Sequence, residues 1–282
     1  MPPTRVHQAL VVENRDAGKG YFRIVLRAPA LAARARPGHF VMLRVSENLD
    51  PLLGRPFGIA GVRSRKDIEL YYRVVGRGTS LLTQVRARAW LAVHGPLGNG
   101  FPAPAKGETP LLVAGGSGFP PLLFFSARHG RRAHLFAGSR DKACLPPARA
   151  MKAFRSAVAA VHYATEDGSC GTCGFVTDAL AAYLDRPIAG GRPVIYACGP
   201  HPMLAAVSRL AADRGVPCFV SLEERMACGL GVCMGCSVPM AAGGYKRACT
   251  EGPVFDSREI AWGGPVTLIM AHAGSGARNA KK

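Results

Sequence analysis

The sequence lacks any apolar run of the ~20 residues that a helix needs to cross a bilayer. Residues 1–5 include the first basic side chain, and no apolar core of the kind found in signal peptides follows them. These two absences predict a chain that enters no membrane and stays in the cytoplasm.

Acidic residues are also scarce. The chain has 18 Asp and Glu against 36 Lys and Arg, which gives a formal net charge of +18 at pH 7. The basic residues are not interleaved with aromatics, and no helix-turn-helix or zinc-finger pattern accompanies them. We therefore expect no binding to nucleic acid, and we interpret the charge as compositional bias or as a match to an acidic partner.

The residues that are present indicate a folded protein with more than one domain. Hydrophobic residues make up 48% of the 282 positions and charged residues 19%, a balance typical of globular proteins. This length allows two domains and a smaller module. Nine cysteines cluster toward the C-terminal half. In a reducing compartment they indicate metal or redox chemistry and not a disulfide framework.

Residues 2–104 have the pattern of a small antiparallel β-barrel. Short apolar segments at 8–13, 21–26, 39–45 and 68–75 are separated by Gly, Pro and charged turns. Brief strands at such spacing are typical of a barrel. A linker rich in Pro and Ala leads from this region into the next.

Residues 108–215 alternate strands with helices, which predicts a parallel sheet joined by right-handed crossovers. The expected strands are 110–114, 134–138, 158–165 and 193–198, and the expected helices are 120–129, 177–184 and 202–214. Two turns follow strands at the edge where such sheets bind dinucleotides, Gly115-Gly116-Ser117-Gly118 and Cys198-Gly199-Pro200. The first turn does not have the G-x-G-x-x-G spacing, so alone it is only suggestive. Cys198 either lies against a nicotinamide or is a buried core residue.

Residues 216–255 contain a loop dominated by glycine and cysteine. Its cysteines have the C-x4-C-x2-C spacing of plant-type [2Fe–2S] ligands, with the fourth after 12 further residues: Cys228, Cys233, Cys236 and Cys249. Gly229, Gly231 and Gly235 would let the backbone wrap a cluster and point N–H groups at its sulfurs. The alternative is a zinc site, but four-cysteine zinc sites usually contain two C-x2-C pairs and this loop contains one. Residues 256–282 form a C-terminal extension.

The remaining cysteines give weaker signals. Cys170 and Cys173 form a lone C-x2-C, which is a redox pair, a second metal site or two ordinary thiols in a glycine-rich loop. Cys144 and Cys218 are interpreted as small packing residues.

The predicted barrel also contains residues suited to a dinucleotide. They are Arg55, Tyr71, Tyr72, Arg73, Gly78 and Thr79. The arginines are permanently charged and forked, as a pyrophosphate requires, and the segment 55–58 is expected to end a strand. The glycine and threonine precede an expected helix at 80–87, whose first N–H groups could bind phosphate. The tyrosines could stack on a ring system.

Together these motifs resemble the ferredoxin–NADP reductase superfamily. The matching segments are Arg55-Pro56-Phe57, Tyr72-Arg73, Gly78-Thr79, residues 94–98, Gly115–Gly118 and Cys198-Gly199-Pro200. That superfamily pairs a FAD-binding β-barrel with a nicotinamide-binding α/β domain. Residues 224–236 are further similar to the electron-transfer subunits of two-subunit, NAD-linked dihydroorotate dehydrogenases. The resemblance implies a multi-domain fold with an all-β barrel, a parallel α/β domain and a C-terminal [2Fe–2S] module.

The resemblance also implies site residues. FAD would be held by Arg55, Pro56, Phe57, Gly58, Tyr71, Tyr72, Arg73, Gly78 and Thr79. NAD would be held by Gly115, Gly116, Gly118, Cys198, Gly199 and Pro200. Related proteins usually have Ser or Thr where this chain has Gly58, so here only backbone N–H groups could bond the flavin at that position. Ser139, Arg140 and Asp141 leave the choice between NAD and NADP open.

The implied activity is electron transfer in pyrimidine biosynthesis. A FMN-containing catalytic subunit would oxidise dihydroorotate, and electrons would pass singly through the cluster to FAD and leave on NAD+ as hydride. We expect no catalytic acid or base in this chain, and we expect a heterotetramer with the catalytic subunit. One alternative is a NAD(P)H-dependent reductase serving an oxygenase, a ferredoxin or a sulfur compound. Another is a zinc-containing, basic nucleic-acid-binding protein.

Overall fold

The computed structural model describes residues 6–46, 50–187 and 191–263. Its first part contains the strands β1 (Val6–Gly18), β2 (Tyr21–Arg27), β3 (Phe40–Leu43), β4 (Arg55–Arg63), β5 (Asp67–Arg73) and β6 (Trp90–Leu97). Helix α1 (Pro29–Arg34) follows β2, and helix α2 (Arg77–Thr83) follows β5. The strands close an antiparallel barrel in the order β1-β2-β5-β4-β3-β6. The barrel expected from the sequence is therefore confirmed.

The barrel closes around side chains that alternate along each strand. In β6, Leu91 and Val93 are buried while Trp90 is exposed. The inward residues of the other strands complete one apolar core that includes Ile59. Full burial of each such side chain contributes about 1.5–3 kcal/mol of transfer free energy.

Two predicted boundaries in this part are wrong. Arg55, expected near the end of a strand, instead begins β4, which pairs with β3 so that Phe40 lies opposite Gly58. Proline and glycine in that segment look like turn signals, but the pairing partner decides the conformation. Helix α2 begins at Arg77 and not at residue 80, because the Thr79 hydroxyl accepts hydrogen bonds from the backbone N–H groups of Val75 and Gly76. These bonds start the helix one turn earlier.

The second part is a seven-stranded sheet. Its strands are β7 (Glu108–Gly115), β8 (His134–Ser139), β9 (Ala160–Thr165), β10 (Thr172–Cys173), β11 (Arg192–Cys198), β12 (Cys218–Ser221) and β15 (Val254–Asp256). A separate hairpin is formed by β13 (Ser237–Pro239) and β14 (Tyr245–Arg247). The helices are α3 (Phe119–His129), α4 (Ala148–Ala157), α5 (Val176–Leu184) and α6 (His201–Asp213). The order is β10-β9-β8-β7-β11-β12-β15, and all neighbours are parallel except the β12–β15 pair. The expected parallel α/β sheet is confirmed.

The sheet extends beyond residue 215, where the sequence suggested that the α/β domain ends. Strand β12 adds to one side of β11, and β15 then returns beside β12. The cysteine-rich segment is thus a long insertion between the last two strands of the sheet. None of the helices in the described ranges combines the length and the apolar character that crossing a bilayer requires.

The strand order reverses between β7 and β11, which opens a crevice at the carboxyl edge of the sheet. Cys198 lies opposite Ala114 there. A Cβ on Gly118 would be 2.2 Å from the Cys198 carbonyl oxygen, so the two turns approach closely only because residue 118 is glycine. The crevice faces the barrel, since barrel residues such as Tyr71 share one apolar core with Phe119 of α3.

Candidate functional site

A cavity of about 620 Å³ lies where the barrel meets the sheet. This volume is within the range of small-molecule and cofactor sites. All nine residues that the resemblance assigned to FAD line it: Arg55, Pro56, Phe57, Gly58, Tyr71, Tyr72, Arg73, Gly78 and Thr79. The structure therefore brings together residues from β4, β5 and α2 that are separated in sequence.

One side of the cavity is strongly basic. Arg55, Arg73 and Arg77 all line it. Gly78 is required beside Arg55, because a Cβ at residue 78 would be 2.7 Å from the Arg55 Nε. These guanidinium groups, together with that of Arg225, favour an anionic ligand such as a pyrophosphate.

Thr79 has a positioning role in this structure. Its buried hydroxyl accepts from the N–H groups of Val75 and Gly76 at 3.0 and 3.2 Å and donates to the Gly76 carbonyl at 3.0 Å. It therefore fixes the loop between β5 and α2 and with it the start of α2, where Arg77 lines the cavity.

Aromatic rings form another part of the wall. The Phe57 and Tyr72 rings lie 5.7 Å apart, and the Tyr71 ring meets Phe119 edge-on at 5.3 Å. Tyr72 donates its hydroxyl to the Asn14 Oδ1 at 3.1 Å. Burial raises the pKa of both tyrosines to about 12, so they stay neutral at physiological pH. This wall suits a planar ring system.

The two glycine turns meet at the inner end of the cavity. Of the six residues expected to bind NAD, Cys198 lines the cavity, together with Ser117 of the other turn. Gly115 and Gly199 pack against Met203, whose Sδ would be 2.3 Å from a Cβ on Gly115. Gly116 has a φ of +51° and open space beside it. Gly118 and Pro200 complete the contact between the turns.

The cysteine loop has the backbone geometry expected of a wrapped segment. Gly229 and Gly231 have φ values of +65° and +77°, in the left-handed region that favours glycine. The Leu230 N–H points at the Cys228 Sγ at 3.3 Å. Burial raises the pKa of the Cys228 thiol, but hydrogen bonds from backbone N–H groups outweigh this and lower it to about 6. The loop is therefore built to hold a thiolate.

The four thiols form two pairs. Cys228 and Cys233 lie close enough for Cys233 to contribute to the lowered pKa of Cys228, and Cys236 likewise contributes to the raised pKa of Cys249. Across the described ranges, no three His, Cys, Asp or Glu side chains converge on a single metal-ion position. A mononuclear zinc site needs such convergence, whereas a [2Fe–2S] cluster spreads four cysteines over two irons. The donor set and its pairing fit the cluster better than the zinc ion.

The loop touches the barrel beside the cavity. A Cβ on Gly229 would be 2.8 Å from the Met42 Cγ of β3. Met42 pairs with Pro56 of β4, which lines the cavity. On its outer side the loop exposes Leu230, Val232 and Met234, of which Val232 is 78% exposed.

Comparisons with known proteins agree with this arrangement. A family described as "Iron-sulfur cluster binding domain of dihydroorotate dehydrogenase B" matches residues 223–261, and "Oxidoreductase NAD-binding domain" matches residues 112–209. A "Dihydroorotate dehydrogenase B (NAD(+)), electron transfer subunit" from Geobacillus sp. (strain WCH70) is 37% identical over 90% of this chain and 97% of its own length. The protein of that name from Desulforamulus reducens is 39% identical over 92% of this chain and 99% of its own length.

The chain belongs to the dihydroorotate dehydrogenase B electron transfer subunit family. A solved structure described as "Insights into flavin-based electron bifurcation via the NADH-dependent reduced ferredoxin-NADP oxidoreductase structure" is also similar. It has a TM-score of 0.78 and 28% identity, with 93% of this chain and 92% of that chain covered. The family resemblance stated from the motifs is confirmed, as is the presence of iron–sulfur and NAD-binding domains.

Sequence reasoning missed two residues in this electron transfer subunit. Glu223 and Glu224 follow β12 after Leu222 and line the same cavity as Cys198. The surrounding protein raises the pKa of both carboxyls. Their position just after a strand was the available signal, but the strand itself was not predicted.

The Cys170/Cys173 pair lies far from the cluster loop of the subunit. It follows β9 at one edge of the sheet, while the cysteine loop is inserted between β12 and β15 at the other edge. Cys170 is half-buried and Cys173 is exposed. The structure thus separates this pair from the four thiols discussed above. Cys218 is a buried core residue as expected, whereas Cys144 is only half-buried.

Proposed function

We propose that this subunit passes electrons between a dihydroorotate dehydrogenase catalytic subunit and NAD+ through a [2Fe–2S] cluster and FAD. The observation that supports this best is the contact between the cysteine loop and β3, directly behind the cavity that contains all nine expected FAD residues. The names of the relatives support the same assignment.

The cavity fits a FAD by the chemistry of its walls. Arg55 and Arg73 would neutralise the pyrophosphate, and the Phe57, Tyr71 and Tyr72 rings would hold the flavin rings in place. FAD supplies the exchange between single electrons and hydride, which neither the cluster nor the nicotinamide can perform alone.

Cys228, Cys233, Cys236 and Cys249 would ligate the cluster. Their loop lies against Met42 of β3, and the strand partner of Met42, Pro56, lines the cavity, so the residues that would hold the two cofactors are close neighbours. Such proximity is what single-electron transfer between two centres requires.

The nicotinamide would enter the crevice between the two glycine turns, against Cys198 and Ser117. Further along the sheet edge, the Asp141 carboxylate accepts from the Cys144 N–H at 2.8 Å and caps a short helical turn. Arg140 beside it is exposed. We propose NAD+ as the acceptor because the relatives are named for it.

A FMN-containing catalytic subunit would dock over the exposed apolar tip of the cysteine loop, in a heterotetramer that serves pyrimidine biosynthesis. Leu230, Val232 and Met234 give this tip the apolar character of an interface core. Four thiols that must remain available as thiolates are best kept in a reducing compartment, so we propose a cytoplasmic location.

The test is a visible spectrum of the purified chain, followed by reduction with NADH and with NADPH. We expect flavin and iron–sulfur absorbance, faster reduction by NADH, and orotate formation coupled to NAD+ reduction when the catalytic subunit is added. A colourless protein would overturn the proposal in favour of the zinc-containing alternative. A coloured protein that reduces ferredoxin but shows no coupling to dihydroorotate would favour the reductase alternative.

A further inference from the structure

Thr250 carries a buried hydroxyl beside the cysteine loop for which the proposed function has no role. The Thr250 Oγ1 is shielded from solvent and has no hydrogen-bond partner among the described residues. A buried hydroxyl without a partner costs free energy, so its presence in a folded protein calls for an explanation. Thr250 directly follows Cys249, one of the four expected cluster ligands. The surroundings of the hydroxyl identify the acceptor that it fits.

The Thr250 side chain lies against the glycine midway between the first two cysteines of the loop. A Cβ on Gly231 would be 3.2 Å from the Thr250 Oγ1 and 2.8 Å from its Cγ2, so this close approach requires glycine at residue 231. Gly231 is also next to the thiol of Cys249. Burial raises the pKa of that thiol to about 11, and a hydrogen bond from the Gly231 N–H acts against this rise. The hydroxyl thus lies between two segments that both carry expected cluster ligands.

The neighbouring donors in the turn that contains Cys249 already have acceptors. The Arg247 Nη1 donates to the Gly231 carbonyl at 2.9 Å, and the Arg247 Nε donates to the Glu251 Oε2 at 2.9 Å. The Thr250 N–H donates to the Arg247 carbonyl at 3.2 Å. The Thr250 hydroxyl is therefore the buried side-chain donor of this turn that the described part of the chain leaves without an acceptor.

The cluster that the four cysteines would hold supplies acceptors of the right kind. A [2Fe–2S] cluster presents sulfur atoms, and its reduction potential depends on the hydrogen bonds that these sulfurs receive. Cys236 and Cys249 are 3% and 1% exposed, so Thr250 lies at the buried end of the cysteine set. A hydrogen bond is electrostatically stronger in such low-dielectric surroundings than in water.

We propose that the Thr250 hydroxyl donates a hydrogen bond to a sulfur of the cluster and thereby raises the reduction potential of the cluster. This inference depends on the proposed function, which assigns the cluster to this loop. The reduced cluster carries one more negative charge than the oxidised cluster, so a donor favours the reduced form. Thr250 keeps its proton throughout, because a cluster gains and loses single electrons and no proton has to move. The hydroxyl makes the cluster a better acceptor of electrons from the catalytic subunit.

The test is the midpoint potential of the cluster in the purified, FAD-loaded chain, measured by redox titration with electron paramagnetic resonance. Thr250→Val keeps the shape of the side chain and removes the hydroxyl. We expect the potential to fall by about 59 mV, which is a tenfold change in a one-electron equilibrium constant. Thr250→Ser keeps the hydroxyl and should keep the potential of the wild type.

Thr109→Val is the matched control. Thr109 lies in β7 and has another buried hydroxyl without a partner among the described residues, so this variant removes the same group away from the cysteine loop. The potential of the cluster should not change in it. An equal fall in Thr109→Val would show that the effect of Thr250→Val does not come from a bond to the cluster.

Pulsed electron paramagnetic resonance of the reduced cluster gives a second readout. Exchange into D2O should remove one proton coupling in the wild type and in Thr250→Ser that Thr250→Val lacks from the start. An unchanged potential in Thr250→Val, or an equal fall in Thr250→Ser, would overturn the assignment. Loss of iron from both Thr250→Val and Thr250→Ala would also overturn it, since one hydrogen bond is too weak to decide whether four thiolates retain a cluster. A wild-type chain without iron–sulfur absorbance would instead refute the proposed function itself.

Discussion

Gly229 of the cysteine loop lies against Met42 of the barrel so closely that a Cβ at residue 229 would be 2.8 Å from the Met42 Cγ. Gly229 is also within 3.7 Å of the His94 ring and 3.2 Å of Leu97, measured from the same Cβ position. The backbone next to Cys228 is thus pressed onto β3 and β6 of the barrel. Because Met42 pairs with the cavity-lining Pro56, the loop lies beside the cavity, and the absence of a side chain at residue 229 makes this close approach possible.

Gly229→Ala should remove this contact. Alanine is disfavoured at a φ of +65° by about 1 kcal/mol, and here it would also collide with Met42. We expect a loss of bound iron and a lower free energy of unfolding, measured by iron analysis and urea unfolding. Gly215→Ala is the matched control, because Gly215 has a φ of +63° with nothing within 4 Å. Iron content that is equal in the two variants would show that the Met42 contact is unimportant.

Cys233→Ser should remove the iron–sulfur cluster and leave FAD bound. Cys233 is the exposed member of the four-cysteine set, and its loss should abolish the iron–sulfur absorbance. FAD absorbance and its bleaching by NADH should remain, while dihydroorotate-to-NAD+ turnover should fall by more than the ~10–100-fold typical of indirect changes at metal sites. Cys173→Ser, another exposed thiol, is the control. Undiminished coupled turnover in Cys233→Ser would refute the role of the cluster.

Gly78→Ala should weaken FAD binding. The new Cβ would be 2.7 Å from the Arg55 Nε and would displace that guanidinium from the cavity. We expect the dissociation constant of FAD, followed by flavin fluorescence, to rise about tenfold, which corresponds to about 1.4 kcal/mol. Gly61→Ala makes the same substitution on β4 with nothing within 4 Å and should leave the constant unchanged. An unaltered affinity in Gly78→Ala would argue against a role for Arg55 in holding FAD.

Arg23 should set the acid stability of the barrel. It is buried between Glu13 and Glu69, so Arg23→Met removes the close partner of both carboxylates and should cost about 3–5 kcal/mol at pH 7. Only the longer pairs with Arg15 and Arg63, at 4.0 and 3.9 Å, would remain. Arg214→Met breaks a surface pair with Asp185 and should cost about 0–1 kcal/mol. Urea unfolding of both variants at pH 7 measures the difference.

The ion pair between Glu13 and Arg23 also predicts that the stability of the barrel depends on pH. Partial burial raises the pKa of Glu13, but the hydrogen bond and charge of Arg23 outweigh this and leave it below its usual value. The resulting stability is present above the unfolded pKa of about 4.3 and is lost as pH falls through the lower folded pKa. The difference in the free energy of unfolding between the wild type and Arg23→Met should therefore shrink as the pH falls below about 4.3. A constant difference from pH 7 to pH 3 would contradict this account.

Local patterns in the sequence were sufficient for much of the fold. The apolar segments of β1, β2 and β5 could be predicted, as could the alternation from β7 to α6 apart from α4 and β10, because these elements carry their own periodicity. Strands β12 and β15 could not, since they are short and are stabilised by pairing with each other and with β11. The same reason explains why the start of β4 could not be predicted. Pro56 and Gly58 disfavour the strand conformation, and the pairing with β3 stabilises it there.

The sequence alone determined the cysteine spacing, the glycine turns and the forked arginines, because each depends on residues close together in the chain. Only the tertiary structure decided that Arg55, Cys198 and Glu223 face one cavity, since three distant segments meet there. It also decided that the cysteine loop rests on Met42 and so lies next to that cavity. The distance between the cysteine loop and the cavity depends on how the barrel packs against the sheet, and no local pattern in the sequence encodes that packing.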